Sequence, residues 1–106
     1  MAGALINSRR ASDGSVLVEV RGDIDIETSR RLREILVDTA TRVMPAHIMV
    51  DLLHVTFIDS TGIGALAAGR NAAQRMRLGF AVRHPNAFVA AQLRQTGLYE
   101  TLVNGR

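Results

Sequence analysis

The spacing of apolar residues changes several times along the chain, and each change marks a new element. A turn signal at residues 12–15 separates a short strand near 4–10 from an alternating apolar run at 16–20. This pattern predicts an opening β-hairpin. Gly22 and the acidic loop at 23–25 are expected to end it.

Helical and extended patterns alternate after the hairpin. From Thr28 the apolar residues have the spacing of one helix face, and the Met-Pro-Ala run at 44–46 is expected to end that helix. The nearly continuous apolar run at 48–53 predicts a central strand covered on both faces. A connection at 54–59 should then lead into a second helix from Ser60 to about Arg77.

The last quarter of the chain predicts one more strand and one more helix. The strand covers 80–83, and Pro85 fits the first turn of a helix that runs to about Gln95. Gly97 stands where a helix C-cap glycine belongs, and 98–103 is a final short apolar segment. The order predicts an α/β fold, a mixed sheet with helices packed against it. We expect a single domain over residues 1–106.

Composition favours a folded cytoplasmic protein. Apolar residues make up 47% of the 106 residues and charged residues 22%, and there is no cysteine for a disulfide or a thiolate metal site. The longest uncharged apolar stretches, near 43–50 and 60–69, are far shorter than the ~20 residues of a membrane span. We expect no secretory leader, because residues 7–10 end the first apolar run at once. Membrane insertion is therefore not expected.

The charge pattern does not favour nucleic-acid binding. The net charge is +3 and all thirteen basic residues are arginine, but they interleave with acids and only four aromatic residues exist to stack on bases. His47, His54 and His84 lack ligand spacing, so no metal is expected. No phosphate-binding Gly-rich loop with lysine exists, because the chain has no lysine. We expect no cofactor.

The segment 57–64, Phe-Ile-Asp-Ser-Thr-Gly-Ile-Gly, is the most informative. A strand leads there into a glycine-rich helix start, which predicts that Ser60 is exposed, caps the helix and could carry a phosphate near its positive end. Gly62 and Gly64 would let another protein approach the hydroxyl closely. A purely structural interpretation also fits: Ser60 is an N-cap and the small residues seat the helix on the sheet. Both can hold together.

The same segment resembles the signature of the STAS domain family, and more narrowly of the bacterial anti-sigma factor antagonists. The resemblance rests on three motifs in the family's order. They are Val20-Arg21-Gly22-Asp23-Ile24-Asp25, then Asp59-Ser60-Thr61-Gly62-Ile63-Gly64 preceded by Val50-Asp51-Leu52 and Phe57-Ile58, and finally Gln95-Thr96-Gly97-Leu98. It implies a mixed sheet of four to five strands with three to four helices packed mainly on one side.

The resemblance also implies a function. Such a protein binds an anti-sigma factor that is a serine kinase and so frees a sigma factor; phosphorylation of the serine after the aspartate, Ser60 here, ends the complex, and a phosphatase resets it. By the same matching the partner surface comprises Asp23, Asp25, Asp59, Thr61, Gly62, Ile63 and Gly64. Two positions depart from the family: Asp23 replaces a common glutamate, and Thr61 replaces a common second serine. Ser60 is preferred as acceptor because it directly follows Asp59.

The sequence fits other functions less well. A STAS-type scaffold, or a regulatory subunit of a stress-signalling complex or membrane transporter, is the main alternative. An aspartic protease is disfavoured because Gly62 comes one place too late after Asp59. A hydrolase using Ser60, Asp51 and either His54 or His84 lacks the Gly-x-Ser-x-Gly elbow. We therefore expect no enzyme activity.

Overall fold

The computed structural model describes residues 4–103. Its elements, in chain order, are β1 (Leu5–Arg10), β2 (Ser15–Ile24), α1 (Ile26–Asp38) continued by a π-helical turn (Thr39–Val43), β3 (His47–Ile58), α2 (Ser60–Arg75), β4 (Gly79–Arg83), α3 (Ala87–Gln95) and α4 (Tyr99–Val103). Within residues 4–103, no helix combines the length and the apolar character needed to cross a bilayer.

The four strands form one mixed sheet in the order β1-β2-β3-β4. β1 pairs antiparallel with β2, whereas β2, β3 and β4 run parallel. The predicted hairpin and the predicted α/β class are therefore confirmed. The two parallel connections pass through α1 and α2.

One face of the sheet forms the core. Its side chains are almost completely buried: Val16, Val18, Val20, Ile48, Val50, Leu52, Phe80 and Val82. The alternate residues of the same strands, Leu17, Met49 and Ala81 among them, are only half-buried. The helices therefore cover one face, as the family resemblance implied.

The expectation that the central strand is covered on both faces is wrong. Met49 is half-buried and Leu53 is 56% exposed, although Ile48, Val50 and Leu52 are fully buried. The reason is topological. Parallel crossovers are right-handed, so two that step in the same direction, β2 to β3 and β3 to β4, put both helices on the same face.

Two strands extend beyond their predicted ends. β2 continues to Ile24 and β3 to Ile58, whereas the predicted ends are near Val20 and Leu53. The pairing is irregular between Glu19 and Arg21 and again between Gly22 and Asp23, and Gly22 has φ +94°. Irregularities of this kind interrupt the alternation of side chains between the two faces of the sheet, so the apolar residues no longer have the spacing typical of a strand.

The start of α3 also differs from its prediction. Pro85 lies before the helix, and Asn86 is the N-cap, its side chain accepting a hydrogen bond from the backbone N–H of Val89 at 2.8 Å. The predicted end is confirmed: Gly97 follows the helix with φ +76°, a conformation that glycine adopts without strain.

Candidate functional site: two adjacent helix N-termini

Two strand-to-helix junctions lie side by side at one edge of the sheet. Ile24 and Ile58, the last residues of β2 and β3, are partners in the parallel ladder. Asp25 and Asp59 follow them, and each is the N-cap of the next helix. The backbone N–H of Asp59 donates to the carbonyl of Ile24 at 3.3 Å. The positive ends of α1 and α2 are thereby neighbours.

The N-cap of α2 is Asp59, so the prediction that Ser60 caps this helix is wrong. Asp59 has an extended backbone (φ −105°, ψ −176°), and its Oδ1 accepts from the N–H of Thr61 at 2.9 Å and of Gly62 at 3.1 Å. The Thr61 hydroxyl donates to the same oxygen at 2.5 Å. Because the carboxylate satisfies these donors, Ser60 becomes the first helical residue and its hydroxyl is not needed for capping.

The Ser60 side chain is exposed, as predicted, and its hydroxyl makes no hydrogen bond to any other residue between 4 and 103. The hydroxyl of Thr61 is engaged: it donates to Asp59 and lies 2.9 Å from the Oγ of Ser29 in α1. Of the two neighbouring hydroxyls, Ser60 is thus the one available to react.

The three residues after Thr61 differ in exposure. A Cβ on Gly62 would lie 2.6 Å from Cγ2 of Ile24 and 2.7 Å from Cγ1 of Ile58, so this glycine lets α2 rest on the strand ends. Ile63 is 5% exposed and belongs to the core. Gly64 is exposed, with no atom within 4 Å of its Cβ position. That all three belong to a partner surface stays a prediction; only Gly64 is open to direct contact.

Carboxyl groups surround the same edge. Asp23 is exposed, pairs with Phe57 in the ladder, and accepts a hydrogen bond from the Thr56 hydroxyl at 2.5 Å. Asp25 accepts from the backbone N–H of Thr28 at 3.0 Å, and this bond holds the pKa of Asp25 below its ordinary value. The structure therefore brings Asp23, Asp25 and Asp59 to the sheet edge that also carries Ser60.

Sequence reasoning missed four residues here. Ile26 is 65% exposed at the first position of α1, Ser29 is buried against Thr61, and the exposed rings of Phe57 and Phe88 stack. Ile26 and Phe57 lie in or beside the quoted motifs, but a strand or helix-start pattern does not reveal their exposure. Phe88 is far from the 57–64 segment in sequence, so no local signal could place it here.

The polar groups of this site are hydroxyls and carboxyls. Among residues 4–103, no three His, Cys, Asp or Glu side chains are placed to hold a metal ion.

A protein-family model described as "Mlab, STAS domain" matches residues 7–104. The chain belongs to the STAS domain family.

Three solved structures of other proteins share the fold. An anti-sigma factor antagonist from Mycobacterium paratuberculosis is 26% identical, with a TM-score of 0.78 over 94% of this chain and 83% of that one. The phosphorylated form of the Bacillus cell fate determinant SpoIIAA is 14% identical, with a TM-score of 0.74 over 89% and 85%. A sulfate transporter family protein from Wolinella succinogenes is 20% identical, with a TM-score of 0.74 over 88% and 75%. The last two likenesses show the fold alone.

Proposed function

We propose that this STAS domain is an anti-sigma factor antagonist, a cytoplasmic binding protein that sequesters an anti-sigma factor kinase and is switched off by phosphorylation of Ser60. The likeness to the mycobacterial antagonist supports the partner class. The phosphorylated form of SpoIIAA, a protein of the same fold, supports the type of switch. A phosphatase would return the protein to its binding form.

The observation that carries the proposal is the free, exposed hydroxyl of Ser60 at the first position of α2. Phosphoryl transfer needs a nucleophile that a kinase can reach without unfolding its target. Ser60 meets this need because Asp59 caps the helix and Thr61 is held by Asp59 and Ser29. The chain receives the phosphate; it need not catalyse the transfer.

A phosphate at this position is compatible with the fold. It adds roughly −1.5 to −2 charges at the N-terminus of α2, where the helix dipole and unpaired N–H groups favour an anion. Of the first backbone N–H groups, those of Thr61 and Gly62 already donate to Asp59. They would therefore stabilise the phosphate less than unpaired N–H groups, but the helix dipole would still favour it. We therefore expect α2 to remain folded after phosphorylation.

The same phosphate is poorly compatible with a partner. Asp59 precedes it, Asp23 lies at the end of the adjacent strand β2 and Asp25 directly follows that strand, so the added charge accumulates where an interface must exclude water. A penalty of about 3 kcal/mol would weaken binding by more than about a hundredfold, enough to release the kinase to a competitor. This mechanism needs no conformational change.

The experiment is a phosphorylation assay on the purified protein. It is incubated with candidate anti-sigma factor kinases of the same organism, ATP and Mg²⁺, and the intact mass is measured. We expect one added phosphate on the wild type and on Thr61→Val, and none on Ser60→Ala. Phosphate retained by Ser60→Ala but lost in Thr61→Val would move the acceptor to Thr61 and contradict the proposal.

A second candidate function is regulation of a membrane transporter, which the likeness to the sulfate transporter family protein favours. The same fold would then dock on a transporter subunit instead of a kinase. This function takes precedence if no anti-sigma factor of the organism either binds the chain or phosphorylates it.

A further inference from the structure

The chain places two of its four aromatic residues on the surface. Phe57 is 41% exposed and Phe88 is 43% exposed, and their rings stack with centroids 5.7 Å apart and an interplanar angle of 24°. The other two are used internally: Phe80 is 8% exposed, and Tyr99 is half-buried beneath the guanidinium of Arg94. Two exposed apolar rings in contact form a contiguous apolar surface, which is more informative than a singly exposed apolar residue.

The fold fixes this aromatic pair in place. Phe57 lies on β3, whose pairing with β2 continues through the next residue, Ile58. Phe88 lies in the first turn of α3, whose cap Asn86 also donates its side-chain amide to the carbonyl of Val55 on β3 at 2.8 Å. The two rings are therefore carried by elements that are bonded to each other. A contact made by them would lose little conformational entropy.

The pair also lies close to the phosphoacceptor. Phe57 precedes Ser60 by three residues, so their Cα atoms are separated by at most about 11 Å. A standard protein interface buries about 800 Å² on each partner, the area of a disc of about 16 Å radius. Phe57 is therefore within the distance that an interface of that size, centred on Ser60, can cover.

We propose that the Phe57–Phe88 pair is the apolar anchor of the surface that binds the anti-sigma factor, and that it receives an apolar side chain of that partner. The inference rests on the proposed function. The acidic edge formed by Asp23, Asp25 and Asp59 must lose its hydration when a partner covers it, which costs free energy. The aromatic pair supplies the water-excluding contact that such a charged edge cannot supply.

This arrangement separates affinity from regulation. The contact with Phe57 and Phe88 is apolar and does not depend on the phosphorylation state of Ser60. The phosphate acts on the neighbouring charged part of the same interface. A variant of the aromatic pair should therefore bind more weakly in both states, with the ratio between the two states kept.

The test measures the dissociation constant of the cognate anti-sigma factor kinase for the unphosphorylated protein, by calorimetry without ATP. Phe88→Ala is the variant of choice, because the side chain is exposed and alanine is favourable in a helix. Val43→Ala is the control: Val43 is 41% exposed, but it lies in the π-helical turn before β3, at the opposite edge of the sheet from Ser60. Thermal unfolding confirms that each variant is folded.

We expect Phe88→Ala to raise the dissociation constant at least about tenfold, Phe88→Leu to restore part of the loss, and Val43→Ala to stay within about twofold of the wild type. The rate of Ser60 phosphorylation should fall at limiting kinase and recover at saturating kinase. If the wild type binds and Phe88→Ala binds equally well, the anchor is refuted while the proposed function stands. If the wild type binds no anti-sigma factor, the proposed function fails and the anchor fails with it.

Discussion

The two strand-to-helix junctions at the candidate site have the same geometry and different chemistry. Each parallel strand ends in isoleucine, each helix is capped by an aspartate, and each first helical residue is exposed. That residue is Ile26 in α1 and Ser60 in α2. At the third helical position, α1 has Thr28 and α2 has Gly62. One junction therefore presents an apolar side chain, and the other presents a hydroxyl.

The difference shows how a side chain with a free hydroxyl is presented on a rigid backbone. Asp59 accepts three hydrogen bonds, whereas Asp25 accepts one from the start of its helix. Gly62 lets α2 approach the ends of both strands more closely than any larger residue would allow. The α2 junction is held more tightly, although it carries the residue proposed to react. Rigidity of the backbone and freedom of the Ser60 hydroxyl come from the same contacts.

The largest effect should come from filling the space at Gly62. Gly62→Ala places a Cβ 2.6 Å from Ile24 and 2.7 Å from Ile58, both fully buried, and overpacking of this kind should cost about 2 kcal/mol of unfolding free energy even after the gain in helix propensity. Urea denaturation measures the loss. Gly64→Ala is the matched control, since its Cβ would meet nothing within 4 Å, and it should stabilise the protein by about 0.5–1 kcal/mol. Equal stability of the two variants would contradict the tight seating of α2.

A smaller effect should come from removing the cap of α2. Asp59→Ala leaves the N–H groups of Thr61 and Gly62 without their partner and should lower the unfolding free energy by about 1 kcal/mol. Asp25→Ala removes a single capping bond and should cost less. Denaturation curves of the two variants, recorded together, rank the caps. A larger loss for Asp25→Ala would reverse the comparison.

The smallest effect should be the acid dependence of the α1 cap. The hydrogen bond from Thr28 lowers the pKa of Asp25 in the folded state. The Asp25 carboxylate therefore stabilises the folded protein above its unfolded pKa of about 3.9, and this stabilisation is lost as the pH falls through the lower folded pKa. The thermal midpoint of Asp25→Asn should therefore fall less than that of the wild type as the pH is lowered below about 4. Parallel curves for the two proteins would show that the bond contributes nothing.

Much of this architecture could be predicted from the sequence because it follows from local patterns. The runs at 16–20 and 48–53, the helix beginning at Ser60 and the glycine after α3 all carry strong propensities. The α/β class and the STAS family follow from their order and motifs. These features depend on residues that are close together in the chain.

The remaining features depend on contacts or backbone angles that a sequence pattern does not contain. Asp59 and Ser60 are both good N-caps, and only the extended backbone of Asp59 decides between them. The bond from Ser29 to Thr61 spans 32 positions, and Phe57 and Phe88 lie on different elements. The candidate site residues thus come from the resemblance, while their positions and contacts required the structure.

The central claim is that phosphorylation of Ser60 separates the protein from its partner by charge. The most direct test is to titrate the cognate anti-sigma factor with the unphosphorylated and the Ser60-phosphorylated protein, at two salt concentrations. We predict that phosphorylation weakens binding by more than about a hundredfold, and that the ratio shrinks as salt screens the added charge. Equal affinity of the two forms would contradict the account, even if Ser60 is the residue that the kinase modifies.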